Sequence, residues 1–357
     1  MVYIIAEAGV NHDGSIEQAY KMVEVAADIG ADAIKFQTFK TDNLVVRNAE
    51  KAQYQKDSTG IDETQYEMLK GLELSFESFR ELARYSNNFD IDFLSTAFDS
   101  ESLEFLVENI EVCRLKIPSG EITNAPFLIQ HAWTGKDIII STGMCDLCDI
   151  ETALGAIAYG LLNKNDHPDG RDNFLHAYYS EAGRRALKEK VTLLHCTSEY
   201  PTPSNEMNIR VIDSLRSCFG LDIGLSDHSN GINAALCAVS RGATMIEKHF
   251  TLDKNLKGPD HSSSLDPTEL QSMISSIKEI NVMLGDGVKR PTQSELKNRV
   301  STRKSVVAAK YILKGELLTE DKLTVKRPGN GLSPIHFWDL IGTSANQNYE
   351  KDSLIVS

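Results

Sequence analysis

The chain has 357 residues, 41% hydrophobic and 25% charged, a composition that excludes disordered, collagen-like and low-complexity classes. It leaves room for two or three domains, or for one α/β barrel with an appendage. Asp and Glu total 51 against 37 Lys and Arg, a formal charge of −14, which argues against nucleic acid and anionic membranes as partners and obliges any anionic substrate to find a local basic pocket.

In chain order, short β-branched runs alternate with helical patterns. Residues 3–8, 33–37, 92–95, 113–117, 137–141, 191–195, 222–226 and 245–249 read as eight strands, each followed by a helix. Capping signals mark several helix starts: Ser15 with Gln18, Ser78 with Glu81, and Asp266 with Pro267 and Glu269. Parallel strands need crossover helices and eight of them can close a sheet, so residues 1–283 are expected to form a (β/α)8 TIM barrel, with a doubly wound open sheet as the alternative.

Two connections are long. Residues 38–77 leave the second strand on the mouth side and are expected to supply a lid or substrate loop, with Tyr54 and Gln55 as candidates, whereas residues 163–190 join a helix to a strand on the opposite face and are expected to be peripheral. Residues 284–300 are polar and broken by Gly and Pro, the pattern of a linker. A small domain follows at 301–357, with strand-like pieces at 305–308, 323–325 and 354–356; a unit of this size is marginal alone and is expected to pack on the barrel or on another subunit.

Six scattered cysteines, among them Cys113, Cys218 and Cys237 inside apolar runs, are expected to be reduced core residues, and the spacing of Cys145 and Cys148 is taken as a coincidence. No uncharged apolar run approaches the ~18 residues of a membrane span and the start MVYIIAEAG lacks a basic leader, so a cytoplasmic protein is expected.

Chemistry in such barrels sits at the carboxyl ends of the strands. Those ends are polar here: Glu7, Lys35 with Gln37, Ser95-Thr96, Lys116 with Ser119 and Glu121, Ser141-Thr142-Gly143, His195, Ser226-Asp227-His228, and Glu247-Lys248-His249. His228 and His249 end consecutive strands, which lie about 4.8 Å apart, so one divalent metal ion could touch both imidazoles, with His195 and His261 as possible substitutes. Lys116, Ser119, Ser141 and Ser226 place one cation and three hydroxyls around the same rim, a cradle for phosphate or carboxylate. Taken singly, each of these residues has an ordinary reading as a core histidine, a turn or a cap. The signal is their convergence.

Together with IAEAGVNH at 5–12, KFQT at 35–38, KIPSGE at 116–121, STGM at 141–144, HCTSEYP at 195–201, SDH at 226–228, EKHF at 247–250 and GPDH at 258–261, the chain resembles the phosphoenolpyruvate-dependent sialic acid synthases over nearly its whole length. Residues 301–357, with KRPGNG at 326–331, resemble that family's antifreeze-protein-like (SAF, β-clip) domain.

The resemblance implies a swapped homodimer in which the small domain of one chain covers the barrel mouth of the other. It implies Mn2+ or Mg2+ on His228 and His249, and phosphoenolpyruvate on Lys116, Ser119, Ser141 and Ser226. An N-acetylated amino-sugar would meet Glu7, Lys35, Gln37, Tyr200, Asp260 and the partner's Arg327. Ser198 stands where some members carry Asn, and residues 163–190 are longer than the usual connection.

Residues and resemblance converge on condensation of phosphoenolpyruvate with an aldehyde sugar, with Glu247 and Glu121 as the catalytic carboxylates that stabilise positive charge or orient water. N-acetylmannosamine, giving N-acetylneuraminate, is the preferred substrate; a 2,4-diacetamido-2,4,6-trideoxymannose, giving N,N'-diacetyllegionaminate, is the alternative. More distant readings are a Schiff-base aldolase using Lys35, Lys116 or Lys248, and a non-catalytic carbohydrate-binding protein working through residues 301–357.

Overall fold

The computed structural model describes residues 2–60 and 62–356, without the side chains of Asp57 and Ser58. Eight strands, β1 (Tyr3–Gly9), β2 (Ala33–Thr38), β3 (Asp92–Ala97), β4 (Arg114–Ile117), β5 (Asp137–Ser141), β6 (Val191–Cys196), β7 (Asp222–Asp227) and β8 (Met245–His249), close in sequence order into a parallel barrel, β8 pairing back onto β1. Helices alternate with the strands.

Period-2 geometry builds the site directly. Ile5, Ala33, Leu94, Ile139, Leu194 and Met245 pack together as an apolar cluster of their own. The same face of each strand two residues further on carries Glu7, Lys35, Thr96, Ser141, Cys196 and Glu247, all of which line one cavity. An apolar floor therefore holds up a polar ring. The alternate residues, among them Ile4, Ala6, Ile34, Ile138, Ile140, Leu193, Ile223 and Ile246, join the larger core with the helices.

Helix ends follow the capping chemistry, with one shift. Ser15 accepts from Gln18 N ahead of Ile16–Asp28, and Asp266 and Glu269 form a reciprocal box around Pro267–Leu284. The helix expected to start with Ser78 and Glu81 instead spans Phe76–Ser86, because Ser75 accepts from Ser78 N and takes the capping position three residues earlier. The 38–77 connection contains three short helices, Thr41–Leu44, Gln53–Thr59 and Gln65–Leu72. Residues 163–190 contain helices Asp172–Tyr179 and Glu181–Lys190, and the first packs so closely on Leu147–Leu162 that a Cβ at Gly155 would lie 2.9 Å from the Phe174 carbonyl oxygen.

The chain divides into two compact units, Met1–Gly285 and Asp286–Ser357. Part of the stretch expected to be linker is helical: Gln293–Thr302 is closed by a reciprocal box between Thr292 and Glu295, a T-x-x-E signal that outweighs the local Gly and Pro. In the second unit β9 (Ser305–Ala308) pairs antiparallel with β10 (Leu323–Lys326), and Leu354 bridges to Val307. Its core includes Val306, Ile312, Leu318, Leu323, Tyr349 and Ile355.

All six cysteines are free, but Cys113, Cys218 and Cys237 are exposed rather than core residues; Cys196 is the buried one. Among the described residues no helix is long and apolar enough to cross a membrane.

Candidate active site

The polar ring closes the bottom of a cavity of about 500 Å³ at the barrel mouth. Lys35 Nζ lies 2.6 Å from Glu7 Oε2 and 3.6 Å from Glu247 Oε2, and it donates to Thr96 Oγ1 at 2.9 Å. Lys116 Nζ lies 3.5 Å from Glu247 Oε1, which also accepts from Ser226 Oγ at 2.9 Å. Two lysines and two glutamates thus share a buried cluster.

Their environments differ. Burial lifts Glu7 well above the ordinary carboxylate value; Lys35 opposes the lift and Glu247 reinforces it. Burial pushes Glu247 the same way, but Lys116, Lys35 and the Ser226 hydroxyl outweigh it and hold this carboxylate well below the usual range. Glu247 is the standing anion of the cluster. Burial lowers Lys116, opposed by Glu247, while the carboxylates Glu247 and Glu7 overcome burial at Lys35 and raise it.

The four residues expected from the sequence to form a cradle are brought to one cavity. Lys116, Ser119, Ser141 and Ser226 all line the cavity, and Ser141 Oγ is buried without a hydrogen-bond partner, as a donor awaiting an acceptor would be. Ser119 Oγ accepts from Gly143 N at 3.0 Å. A Cβ at Gly143 would lie 2.2 Å from Ser198 Oγ and 2.8 Å from Ser119 Oγ, so only glycine permits this approach of β5's end to the cradle.

His228 and His249 stand side by side, ring centres 5.5 Å apart. The Thr197 carbonyl, 2.8 Å from His228 Nδ1, can only accept, so Nδ1 carries the proton and Nε2 is left to face Ser226. His249 Nδ1 is buried without a hydrogen bond, 3.7 Å from Asp260 Oδ2, and burial keeps this imidazole well below its ordinary value, in the neutral form that ligates metals. Burial lifts Asp260 to about 6. Among the described residues no set of three or more His, Cys, Asp or Glu side chains is placed to hold a metal ion; His228 and His249 would supply two imidazoles to one, its other positions left to water or substrate oxygens.

The expected substitutes are committed elsewhere. His195 Nε2 lies 2.7 Å from the Met207 carbonyl, and His261 is held between Thr251 Oγ1 and the Asp13 carboxylate. Tyr200 stacks on His228 at 4.1 Å, and Tyr54, from the 38–77 connection, packs on Tyr200 at 4.9 Å.

Of the remaining candidates, Gln37, Tyr200 and Asp260 line the cavity. Glu121 does not: the chain enters a tight turn at Ser119–Glu121 that swings its carboxylate to accept from Asn124 Nδ2 at 2.7 Å, away from the cradle. Arg327 belongs to the second unit, where it is exposed and its Nε donates to the Thr302 carbonyl at 3.0 Å. Lys248 alternates away from the cavity and pairs with Asp227 at 3.0 Å.

The wall supplied by the long connection escaped the residue-by-residue reading. Phe39, Leu44, Val45, Met68, Leu69 and Leu72 line the same cavity as the charged cluster, with Tyr54, Gln55 and Gln65 among them. Their signal was the apolar content of a segment read as a lid or substrate loop, whose two named candidates, Tyr54 and Gln55, also line the cavity.

A charged ring, three serines beside a lysine, and paired imidazoles thus line the mouth of a TIM barrel. The NeuB family pattern matches residues 22–289 and the SAF domain pattern residues 303–356. The chain is 46% identical, over 99% of its length and 98% of the relative's, to an N,N'-diacetyllegionaminic acid synthase of Campylobacter jejuni, and 42% identical, over 99% and 93%, to one of Legionella pneumophila. An N-acetylneuraminic acid synthetase of Leptospira borgpetersenii, solved with citrate, superimposes with a TM-score of 0.66 at 33% identity over 83% of this chain and 90% of that one. The protein belongs to the NeuB family and is a phosphoenolpyruvate-dependent nonulosonic acid synthase, a transferase that forms a C–C bond between phosphoenolpyruvate and an amino-sugar.

Proposed function

We propose that the amino-sugar is 2,4-diacetamido-2,4,6-trideoxymannose and the product N,N'-diacetyllegionaminate, rather than the N-acetylmannosamine and N-acetylneuraminate first expected. The observation that carries this is the apolar lining Leu44, Val45, Met68, Leu69 and Leu72 that the long connection brings to the cavity holding the charged cluster. Placed with its aldehyde carbon at the charged cluster, the sugar would present carbons 4 to 6 to that lining. The trideoxy sugar puts a methyl and an acetamido group there, and Gln65 can meet the amide; N-acetylmannosamine would bring hydroxyls that lose water for few partners. Identities of 46% and 42% to legionaminic acid synthases, against 33% to a human N-acetylneuraminate-9-phosphate synthase, support the same choice.

In this reading Lys116, Ser119, Ser141 and Ser226 hold phosphoenolpyruvate, while Glu7, Lys35, Gln37, Tyr200 and Asp260 contact the sugar. A divalent ion, Mn2+ or Mg2+, on His228 and His249 would supply Lewis acidity to the sugar's carbonyl oxygen. Carbon 3 of phosphoenolpyruvate attacks the aldehyde carbon, forming the new C–C bond and leaving cationic character at carbon 2, which the Glu247 carboxylate stabilises. Water adds at carbon 2, the C–O bond to phosphate breaks, and water's two protons end on the new hydroxyl and on phosphate. Glu247, anionic and beside the cradle, is the group that orients this water.

Phosphate release with phosphoenolpyruvate and each sugar in turn tests the substrate. Turnover with N-acetylmannosamine alone would refute it. Borohydride trapping with a ketoacid should leave no adduct, since Lys35 and Lys116 are held as ion-pair partners and Lys248 faces away.

The second unit's Arg327 is proposed to complete the mouth of the partner chain in a swapped homodimer. Mixing Glu247→Ala with Arg327→Ala under subunit exchange should restore about a quarter of wild-type sites if the contact is in trans. No recovery despite proven heterodimers would refute it.

A further inference from the structure

We propose that the buried Asp227–Lys248 ion pair is a positioning element that sets the spacing of His228 and His249; this rests on reading those imidazoles as the metal ligands. The carboxyl ends of β7 and β8 are tied on both faces. Ser226 pairs in register with Glu247 and donates to it inside the barrel, and Asp227 pairs in register with Lys248 at the next position, where their side chains meet at 3.0 Å. The residues that follow are His228 and His249.

The outer tie also shapes the turn that carries His228. Asp227 Oδ1 accepts from Ser229 N at 2.8 Å and from Ser229 Oγ at 2.6 Å, while Lys248 Nζ donates to the Ser229 carbonyl. Lys248 thus reaches from the residue before one imidazole to the residue after the other. Side-chain exposure is 1% for Lys248 and 0% for Asp227. Taking two charges this far out of water is costly, and uncharged residues of similar volume often serve stability as well or better, so stability alone does not account for the pair. What an apolar pair cannot do is fix two strand ends and a turn in one hydrogen-bonded geometry.

The test compares Mn2+ affinity, read by the paramagnetic resonance of free Mn2+, with phosphoenolpyruvate affinity, read by calorimetry. Phosphoenolpyruvate serves as the control because three of its four cradle residues, Lys116, Ser119 and Ser141, belong to β4, its following turn and β5, and Ser226 alone is on β7. Wild type, His228→Ala, Asp227→Asn, Lys248→Met and the Asp227→Asn/Lys248→Met double variant are measured, each with its melting temperature. The double variant leaves no lone buried charge and decides the matter where a single variant does not fold.

Residues that support metal ligands typically contribute 10- to 100-fold in affinity, so Mn2+ binding should weaken at least about tenfold in Lys248→Met and in the double variant, with phosphoenolpyruvate binding changed less than about threefold. A folded double variant with wild-type Mn2+ affinity overturns the proposal, as does equal weakening of both ligands or collapse of the fold in all three variants. Unchanged Mn2+ affinity in His228→Ala, or no Mn2+ binding by the wild type, instead removes the ligand assignment and this inference with it.

Discussion

The two walls of the cavity are built on opposite principles. The wall made by the strand ends is charged, with Glu7, Lys35, Lys116 and Glu247 in one ion-pair cluster two residues above an apolar floor. The lining from residues 39–72 is mostly apolar, with Tyr54, Gln55 and Gln65 in it, and much of it sits on short helices rather than on the barrel strands. On the proposed function, the strand ends carry the chemistry and the separately built segment meets the part of the sugar that varies. The division predicts that substitutions in the first wall change rate and phosphoenolpyruvate binding, and substitutions in the second change which sugar is taken.

The largest effect is expected at Glu247. Glu247→Gln removes the anion facing the developing cation, and kcat should fall about a thousandfold while the melting temperature shows the barrel intact. A loss under tenfold would assign the charge-stabilising role elsewhere. Next comes Lys116→Met, which removes the cation of the cradle; the KM for phosphoenolpyruvate should rise about a hundredfold and the sugar's less than threefold. Equal rises for both substrates would show that the charged wall does not divide its work between them.

In the apolar wall, Leu69→Asn offers a hydrogen-bond partner where the wall has none from that residue. The ratio of kcat/KM for the diacetamido sugar to that for N-acetylmannosamine should fall about tenfold, with phosphoenolpyruvate kinetics unchanged. An unchanged ratio would break the comparison.

The smallest effect on catalysis belongs to a group in neither wall. His131, buried in the helix Ala125–Trp133, is pushed down to about 4 by burial from its ordinary 6.5, so the unfolded chain takes up the proton first as pH falls. Stability conferred by the neutral ring is full above about pH 6.5 and is lost toward pH 4, by about 2 kcal/mol between pH 7 and pH 5. His131→Leu should flatten that slope in denaturant titrations and leave turnover unchanged.

The charged wall was legible because a barrel strand shows its period of 2: once residues 245–249 are a strand, Glu247 and Met245 share the inner face. His228 and His249 were legible as a pair because consecutive strands are neighbours. Glu121 was misplaced because its position depends on a tight turn after the strand, where alternation no longer applies. The cysteines at 113, 218 and 237 lie at a strand entrance or on helix flanks, where apolar neighbours in sequence do not guarantee burial. The apolar wall was hidden for a related reason: residues 39–72 form three short helices with no shared period, so their common face exists only in three dimensions.

The most direct test of the two-wall account is a competition in one vessel: wild-type enzyme, phosphoenolpyruvate, and equal concentrations of 2,4-diacetamido-2,4,6-trideoxymannose and N-acetylmannosamine, with both products counted by mass spectrometry at low conversion. The product ratio equals the ratio of kcat/KM values. The account predicts N,N'-diacetyllegionaminate in at least about tenfold excess, the selectivity that apolar contacts to a methyl and an acetamido group can supply. Equal amounts, or an excess of N-acetylneuraminate, would contradict it.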